Sequence, residues 1–126
     1  MDEDTEAYEA VVAAYRLPKA TDDEKAHRKT VISLAMSRAT EVPMRTAEAC
    51  LVVLKAAGEA AANGNSNAIS DARTGAALAW AGLVGAAENV RINAQSQGSG
   101  ADLLESLDSL LAEGRSRGAS VGLPPL

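Results

Sequence analysis

Large aromatic side chains are nearly absent from this chain, which has no phenylalanine, one tryptophan and two tyrosines in 126 residues. Hydrophobic residues still make up 47% of the sequence, so the core must be filled mainly by alanine, leucine, valine and isoleucine. Small side chains let helices approach one another closely. The length allows a single core, so we predict one domain over residues 1–126, with a frayed tail at residues 118–126.

Only one cysteine, Cys50, and one histidine, His27, are present. A single cysteine excludes an intrachain disulfide, and we expect Cys50 to be a small buried residue. A zinc site or a Cys–His nucleophile would need both residues, which lie on different predicted helices and in no supporting motif. We therefore predict no metal site, and we interpret His27 as a solvated residue in the first turn of a helix.

Positive charge is not in excess, because the formal net charge is -5. This balance argues against sequence-independent binding to nucleic acid or to anionic lipid. The N-terminus lacks the apolar segment of a signal peptide, and the longest apolar run, residues 75–87, is too short to span a bilayer. We expect a cytoplasmic protein whose partners include neither nucleic acid nor membrane.

Strand patterns are also missing, since apolar residues never alternate with period two between turn signals. Helical periodicity predicts an all-α fold, an up-and-down helical bundle. A proline ends the first helix, a capping box at Thr21–Glu24 begins the second, and Pro43 marks either a kink or a fresh start. The predicted helices span residues 3–16, 22–40, 43–62, 70–94 and 101–117.

The helix predicted from about Ser70 to Ala94 is rich in alanine and glycine, and we place it at the centre of the bundle with Ser70 as its N-cap. One face is a line of small residues that extends from Asp71 to Asn89 and Asn93, and the other is bulkier. Because glycine is unfavourable in a helix, its glycines predict the close approach of a neighbouring backbone. The small face contains Gly75, Ala79, Gly82 and Ala86, and the bulky face contains Ala76, Trp80, Leu83, Ala87 and Val90.

Asp4 is the first candidate for a chemical role, because it precedes Tyr8 by four residues and lies above the apolar face of the first helix. We expect its carboxyl group to be partly desolvated, which favours the neutral form that a general acid needs. The alternative is that Asp2, Glu3 and Asp4 only complement the positive end of the helix dipole.

Further candidates are polar residues that can hydrogen-bond the edge of a heterocycle: Asn65, Asp71, Asn89 and Asn93. Each also has a structural alternative, as a turn residue, an N-cap or a buried interhelical hydrogen bond. Lys19 and Arg28 are candidates for a ligand carboxylate, and the alternative for both is a solvated cation.

Several short motifs occur in order along residues 2–95. They are Asp2-Glu3-Asp4 with Ala7-Tyr8, Leu17-Pro18-Lys19, Val42-Pro43, Gly64-Asn65, Ser70-Asp71 and Asn89-Val90-Arg91-Ile92-Asn93. In this order and spacing the set resembles the formiminotransferase-cyclodeaminase family, specifically its cyclodeaminase domain. Members normally begin with helices that carry a Gly-Gly-Gly-Ser-type motif, and this sequence resembles the domain without that N-terminal segment.

The resemblance implies a homodimer or higher homo-oligomer that binds a tetrahydrofolate derivative near subunit contacts and needs no further cofactor. It places the family's catalytic aspartate on Asp4, with Lys19, Asn65, Asp71, Asn89 and Asn93 as substrate-binding residues. The implied reaction converts 5-formiminotetrahydrofolate to 5,10-methenyltetrahydrofolate and ammonia. Two alternatives stay open, a methenyltetrahydrofolate cyclohydrolase and a non-catalytic helical module for assembly or ligand binding.

Overall fold

The computed structural model describes residues 2–97 and 100–124, which form four α-helices and, within those ranges, no β-strand. The prediction of an all-α bundle is confirmed. The helices are α1 (Asp2–Tyr15), α2 (Asp22–Asn63), α3 (Ala68–Gln97) and α4 (Ala101–Ser120). None of these helices is both long and apolar enough to cross a membrane.

Contacts between helix ends show that α1 and α2 are antiparallel. Glu3, at the start of α1, pairs with Arg45 of α2 at 2.6 Å, while the Tyr15 carbonyl at the end of α1 accepts hydrogen bonds from Arg28. The Arg28 guanidinium also lies over the Tyr15 ring, 5.4 Å from its centroid. Arg28 therefore joins two helix ends, in place of the solvated or ligand-binding role that the sequence suggested.

The α1 surface that contacts α2 is narrower than the sequence predicted. Ala7 and Ala14 are 1% and 2% exposed, whereas Tyr8 and Tyr15 are 68% and 50% exposed. Tyr8, which the sequence placed on the apolar face below Asp4, therefore lies outside the contact, because alanine at positions 7 and 14 lets α1 approach α2 more closely than a tyrosine face would allow. Asp4 stays in line with the buried face, three residues before Ala7.

Pro43 lies inside α2, so of the two alternatives that the sequence left open, a kink or a fresh start, the fresh start is wrong and the ranges 22–40 and 43–62 belong to a single helix. Proline has no N–H, which removes the helical hydrogen-bond donor for the Ala39 carbonyl. Asn93 of α3 donates to that carbonyl instead, at 3.0 Å from its Nδ2. A side chain from another helix therefore compensates for the backbone donor that the local sequence lacks.

Helix starts follow the sequence in one case and depart from it in another. The capping box is confirmed, since the Glu24 N–H donates to Thr21 Oγ1 and the Thr21 N–H donates to Glu24 Oε2, both at 3.1 Å. The prediction of Ser70 as N-cap of α3 is wrong. The Asn65 Oδ1 accepts from the N–H groups of Asn67 and Ala68, so the helix begins two residues earlier than predicted.

The hydrophobic core lies where α2, α3 and α4 meet, and α3 contributes more of it than any other helix. The predicted bulky face of α3 is confirmed as core, with Leu83, Ala87 and Val90 fully buried. Leucines of α4 pack against the same cluster around the buried Leu107. In contrast, α2 is the helix that contacts each of the other three.

Glycines in α3 do not behave as predicted. A Cβ built on Gly82 would lie 2.8 Å from the sulfur of Cys50, so a side chain rather than a backbone comes close there. Gly75 and Gly85 have no atom within 4 Å of a built Cβ. Although α3 contributes most of the core, part of its apolar surface is uncovered in this single chain, where Leu78 is 70% exposed.

The end of α4 is packed, although the sequence predicted a frayed tail from residue 118. The helix continues to Ser120, and Val121 is 4% exposed. The Nε of Arg73 donates to the Val121 carbonyl at 3.0 Å, which joins the start of α3 to the end of α4. Gly122 has φ +81°, a backbone conformation that favours glycine and closes the helix. Residues 125 and 126 lie outside the described residues.

We predict opposite effects from two glycine substitutions. A methyl group on Gly114 would overlap Leu83 and lie 3.0 Å from the Trp80 ring, so Gly114→Ala forces α4 away from α3. We expect it to lower the free energy of unfolding by about 1–2 kcal/mol. Gly75→Ala, which meets no neighbour, is the matched control and should raise stability by about 0.5–1 kcal/mol. Urea unfolding measures both, and equal effects would contradict the close α3–α4 contact.

Candidate functional site

An open groove of about 960 Å3 lies between α2 and α3, with the first turn of α1 at one end. The small face predicted for α3 forms one wall of this groove, through Gly75, Ala79, Ala86 and Asn89. The opposite wall comes from α2. Its lining residues there include Val42, Pro43, Thr46, Ala49, Cys50 and Val53.

Two carboxylates line the groove, and they differ in their surroundings. Glu3 is held by Arg45, which also lines the groove. Asp4 has no hydrogen-bond or ion-pair partner among residues 2–97 and 100–124. It is exposed to solvent in the single chain, so the predicted partial desolvation is not provided by α1 and its neighbours. Asp4 is therefore the carboxylate of the groove that is available to exchange a proton with a bound molecule.

Asn89 and Asn93 lie one turn apart on α3 but have different environments. Asn89 is exposed and lines the groove, and no described residue accepts or donates a hydrogen bond to its amide. Asn93 is half-buried, and its Nδ2 is engaged with the Ala39 carbonyl. The structural alternative foreseen for Asn93, an interhelical hydrogen bond, is thus present, and Asn89 is the amide presented to the groove.

The other three predicted substrate-binding residues lie away from the groove. Lys19 is exposed in the loop between α1 and α2, and the first residue of α2, Asp22, is about 34 Å along that helix from Arg45. Asn65 lies beyond the opposite end of α2, where its side chain caps the start of α3. Asp71 is in the first turn of α3, about 27 Å along that helix from Asn89. Within one chain the six predicted site residues therefore occupy three separate regions.

Arg45 and Cys50 are groove residues that the sequence interpretation missed. Cys50 is partly buried rather than fully buried, and burial raises the pKa of its thiol. A signal for both existed, because Val42, Arg45, Ala49, Cys50 and Val53 recur at helical spacing on one face of α2. This line is separate from the buried line of Ala47, Leu51 and Leu54, so it indicates a second face.

Metal-binding side chains do not cluster in the part of the chain that the structure describes. No group of three or more histidine, cysteine, aspartate or glutamate residues there is arranged to hold an ion. The exposed His27 and the groove residue Cys50 lie on α2, nearly six and a half turns apart. What the groove offers is one free carboxylate, one free amide and apolar walls.

Comparison with known proteins shows which protein family the chain resembles. Residues 1–101 match the model of the formiminotransferase-cyclodeaminase family. The chain is 44% identical over 114 residues to the methenyltetrahydrofolate cyclohydrolase of Methylorubrum extorquens, a match that covers 88% of this chain and 55% of that protein. It is 32% identical over 124 residues to the formimidoyltransferase-cyclodeaminase of Sus scrofa, covering 96% of this chain and 23% of the relative.

The chain thus spans about half the length of the cyclohydrolase and about a quarter of the pig protein. A third relative, the formimidoyltransferase-cyclodeaminase of Rattus norvegicus, is 33% identical over 93 residues, or 74% of this chain and 17% of its own length. The family match extends from the first turn of α1 through α3, which includes both walls of the groove. On this evidence the chain belongs to the formiminotransferase-cyclodeaminase family.

Proposed function

We propose that this chain is a folate enzyme that converts 5-formiminotetrahydrofolate to 5,10-methenyltetrahydrofolate with release of ammonia. The observation that carries the proposal is the unpaired Asp4 carboxylate at a groove that also presents the free amide of Asn89. Relatives from pig and rat are named formimidoyltransferase-cyclodeaminases, which supports this chemistry.

The reaction needs a group that both accepts and donates a proton. N10 of the folate attacks the carbon of the protonated formimino group, forming the C–N10 bond, and loses its proton to a base. The former imine nitrogen then takes up a proton, its bond to carbon breaks, and ammonia leaves. A single carboxylate can do both steps in turn, as general base and then as general acid. Asp4 has that role in our proposal, because Glu3 is held by Arg45.

Binding the folate requires contacts for a flat, partly polar ring system. Val53 and Leu78 line the groove and are 49% and 70% exposed, so they offer apolar surface that a bound ring would cover. The Asn89 amide can donate one hydrogen bond and accept another at the edge of a heterocycle.

A second candidate function is cyclohydrolase activity, since the Methylorubrum extorquens relative carries that name. The match also covers a larger share of that protein than of the animal proteins. In this reaction water adds to the methenyl carbon of 5,10-methenyltetrahydrofolate. The C–N5 bond breaks as N5 gains a proton, the added hydroxyl loses its own proton to solvent, and 10-formyltetrahydrofolate forms. Asp4 would accept a proton from the water and return one to N5, so both reactions use the same carboxylate.

Asp4→Asn separates an enzyme from a non-catalytic module for assembly or ligand binding. We expect this variant to lose about 100-fold or more in kcat, because an amide cannot exchange the proton. The measurement is methenyl absorbance, which appears from the formimino substrate and disappears on hydrolysis. Asp2→Asn is the matched control, as it lies in the same turn but outside the groove lining, and it should keep full activity.

Full activity of Asp4→Asn would reject the role of this carboxylate. A wild-type chain that is folded but converts neither folate would refute the enzymatic proposal and favour the module.

Cys50 provides a test of where the folate binds. Because burial raises the pKa of its thiol, less thiolate is present at neutral pH than in the unfolded chain, and alkylation should be slower in the folded protein. The difference in alkylation rate between the folded and the unfolded chain should vanish as the pH rises above the raised pKa of the thiol. Tetrahydrofolate in the groove should slow alkylation further at constant pH. An unchanged rate at saturating folate would place the ligand elsewhere, and the urea-unfolded chain is the control.

We further propose that the chain forms a homodimer or a higher homo-oligomer. Leu78 and Ile92 are 70% and 62% exposed on α3 and lie fourteen residues apart on one face, with Gly85 midway between them. Burial of such a face between two copies removes apolar surface from water.

Self-association predicts a light-scattering mass of two or more chains at micromolar concentration. Ile92→Lys, which adds a charge to an exposed position outside the groove lining, should shift the mass toward that of one chain without unfolding it. Ser116→Lys on the exposed face of α4 is the control and should leave the mass unchanged. A monomeric wild-type protein would contradict the proposal.

A further inference from the structure

Pro43 creates a defect in the hydrogen bonding of α2. In an uninterrupted helix the N–H of residue 43 would donate to the carbonyl of Ala39, and proline has no N–H to donate. A backbone carbonyl without a donor is unfavourable where protein excludes water. Pro43 is buried and Ala39 is half-buried, so solvent is not freely available to the carbonyl.

The missing donor is supplied by α3. Asn93 Nδ2 donates to the Ala39 carbonyl at 3.0 Å. One turn further along α3, Gln97 Nε2 donates to Thr40 Oγ1 at 3.1 Å, and that hydroxyl donates to the Met36 carbonyl at 2.7 Å. Two amide side chains of α3 therefore bind α2 within one turn of the helical defect.

This bond lies next to the groove. Pro43 itself lines the groove, and Asn89 lies one turn before Asn93 on the same helix. A hydrogen bond from a side chain on α3 to the backbone of α2 restricts both sliding and rotation of one helix on the other. The position of Asn89 opposite Pro43 therefore depends on the bond made by Asn93.

From this geometry we infer that Asn93 is a positioning residue, which replaces the donor that Pro43 removes and so fixes α3 with Asn89 directed into the groove. The part that concerns substrate rests on the proposed function, and the hydrogen-bond replacement does not. The arrangement assigns Asn89 to the ligand and Asn93 to the partner helix, although both are asparagines on one face.

The test is a double-mutant cycle between positions 43 and 93, with thermal unfolding as the measurement. Asn93→Leu keeps the side-chain volume and removes the donor, and we expect Tm to fall by about 4 °C. In a Pro43→Ala background the restored N–H can satisfy Ala39, so the same substitution should lower Tm by about 1 °C or less. Equal losses in both backgrounds would overturn the replacement. Asn89→Leu is the control, and we expect it to shift Tm by the same small amount in both backgrounds.

Kinetics on the folate substrate test the positioning. Asn93→Leu should raise KM by about tenfold with kcat within about twofold of wild type, because Asp4 on α1 does not depend on this bond. Adding Pro43→Ala to Asn93→Leu should restore the wild-type KM, whereas adding it to Asn89→Leu should leave the KM of that variant unchanged. An unchanged KM, or no rescue, would overturn the positioning role. Coupled Tm shifts in a wild-type chain that converts no folate would refute the proposed function and leave the hydrogen-bond replacement standing.

Discussion

The close approach of α2 and α3 is the constraint on which the rest of the structure depends. Helix α1 contacts α2, and α4 packs against both α2 and α3, so each outer helix is positioned by this pair. The chain has almost no aromatic residues, and its alanines and glycines let the two helices come close. Gly82 against Cys50 is one such point, where a built Cβ would be only 2.8 Å from the sulfur.

Small residues on α3 also explain why a groove exists beside the core. The bulky stripe with Leu83 and Val90 is buried against α2 and α4, and it leaves the small stripe at the edge of the contact. Alanine and glycine there cannot fill the space between the helices, so it stays open. One face of α3 thus packs in the core, and another face lines the groove. The first turn of α1 adds two carboxylates at one end of the groove.

Much of this could be predicted from the sequence, because it follows from short-range patterns. Helical periodicity gave the all-α bundle and the core stripe of α3, and the Thr21–Glu24 capping box gave the start of α2. The incorrect predictions arise where a side chain distant in the sequence, or one that competes for the same partner, determines the local structure. Pro43 favours a helix end by the local rule, whereas in the fold α2 continues through it and Asn93, fifty residues later, donates to the Ala39 carbonyl. Likewise, the groove residue Asp4 could be singled out in sequence, whereas the pairing of Glu3 with Arg45 that leaves Asp4 unpaired requires the fold.

The two asparagines of α3 show what the geometry adds to a resemblance. In sequence Asn89 and Asn93 are equivalent, with the same side chain on the same face one turn apart, so both are candidates for a heterocycle edge. An amide can match a donor–acceptor pair on a ligand only if its NH2 and its oxygen are both free. The NH2 of Asn93 is committed to the Ala39 carbonyl, whereas Asn89 has no partner among the described residues. The proline within α2 leaves the Ala39 carbonyl without its helical donor, Asn93 donates to that carbonyl, and Asn89 is the amide that remains available to a ligand.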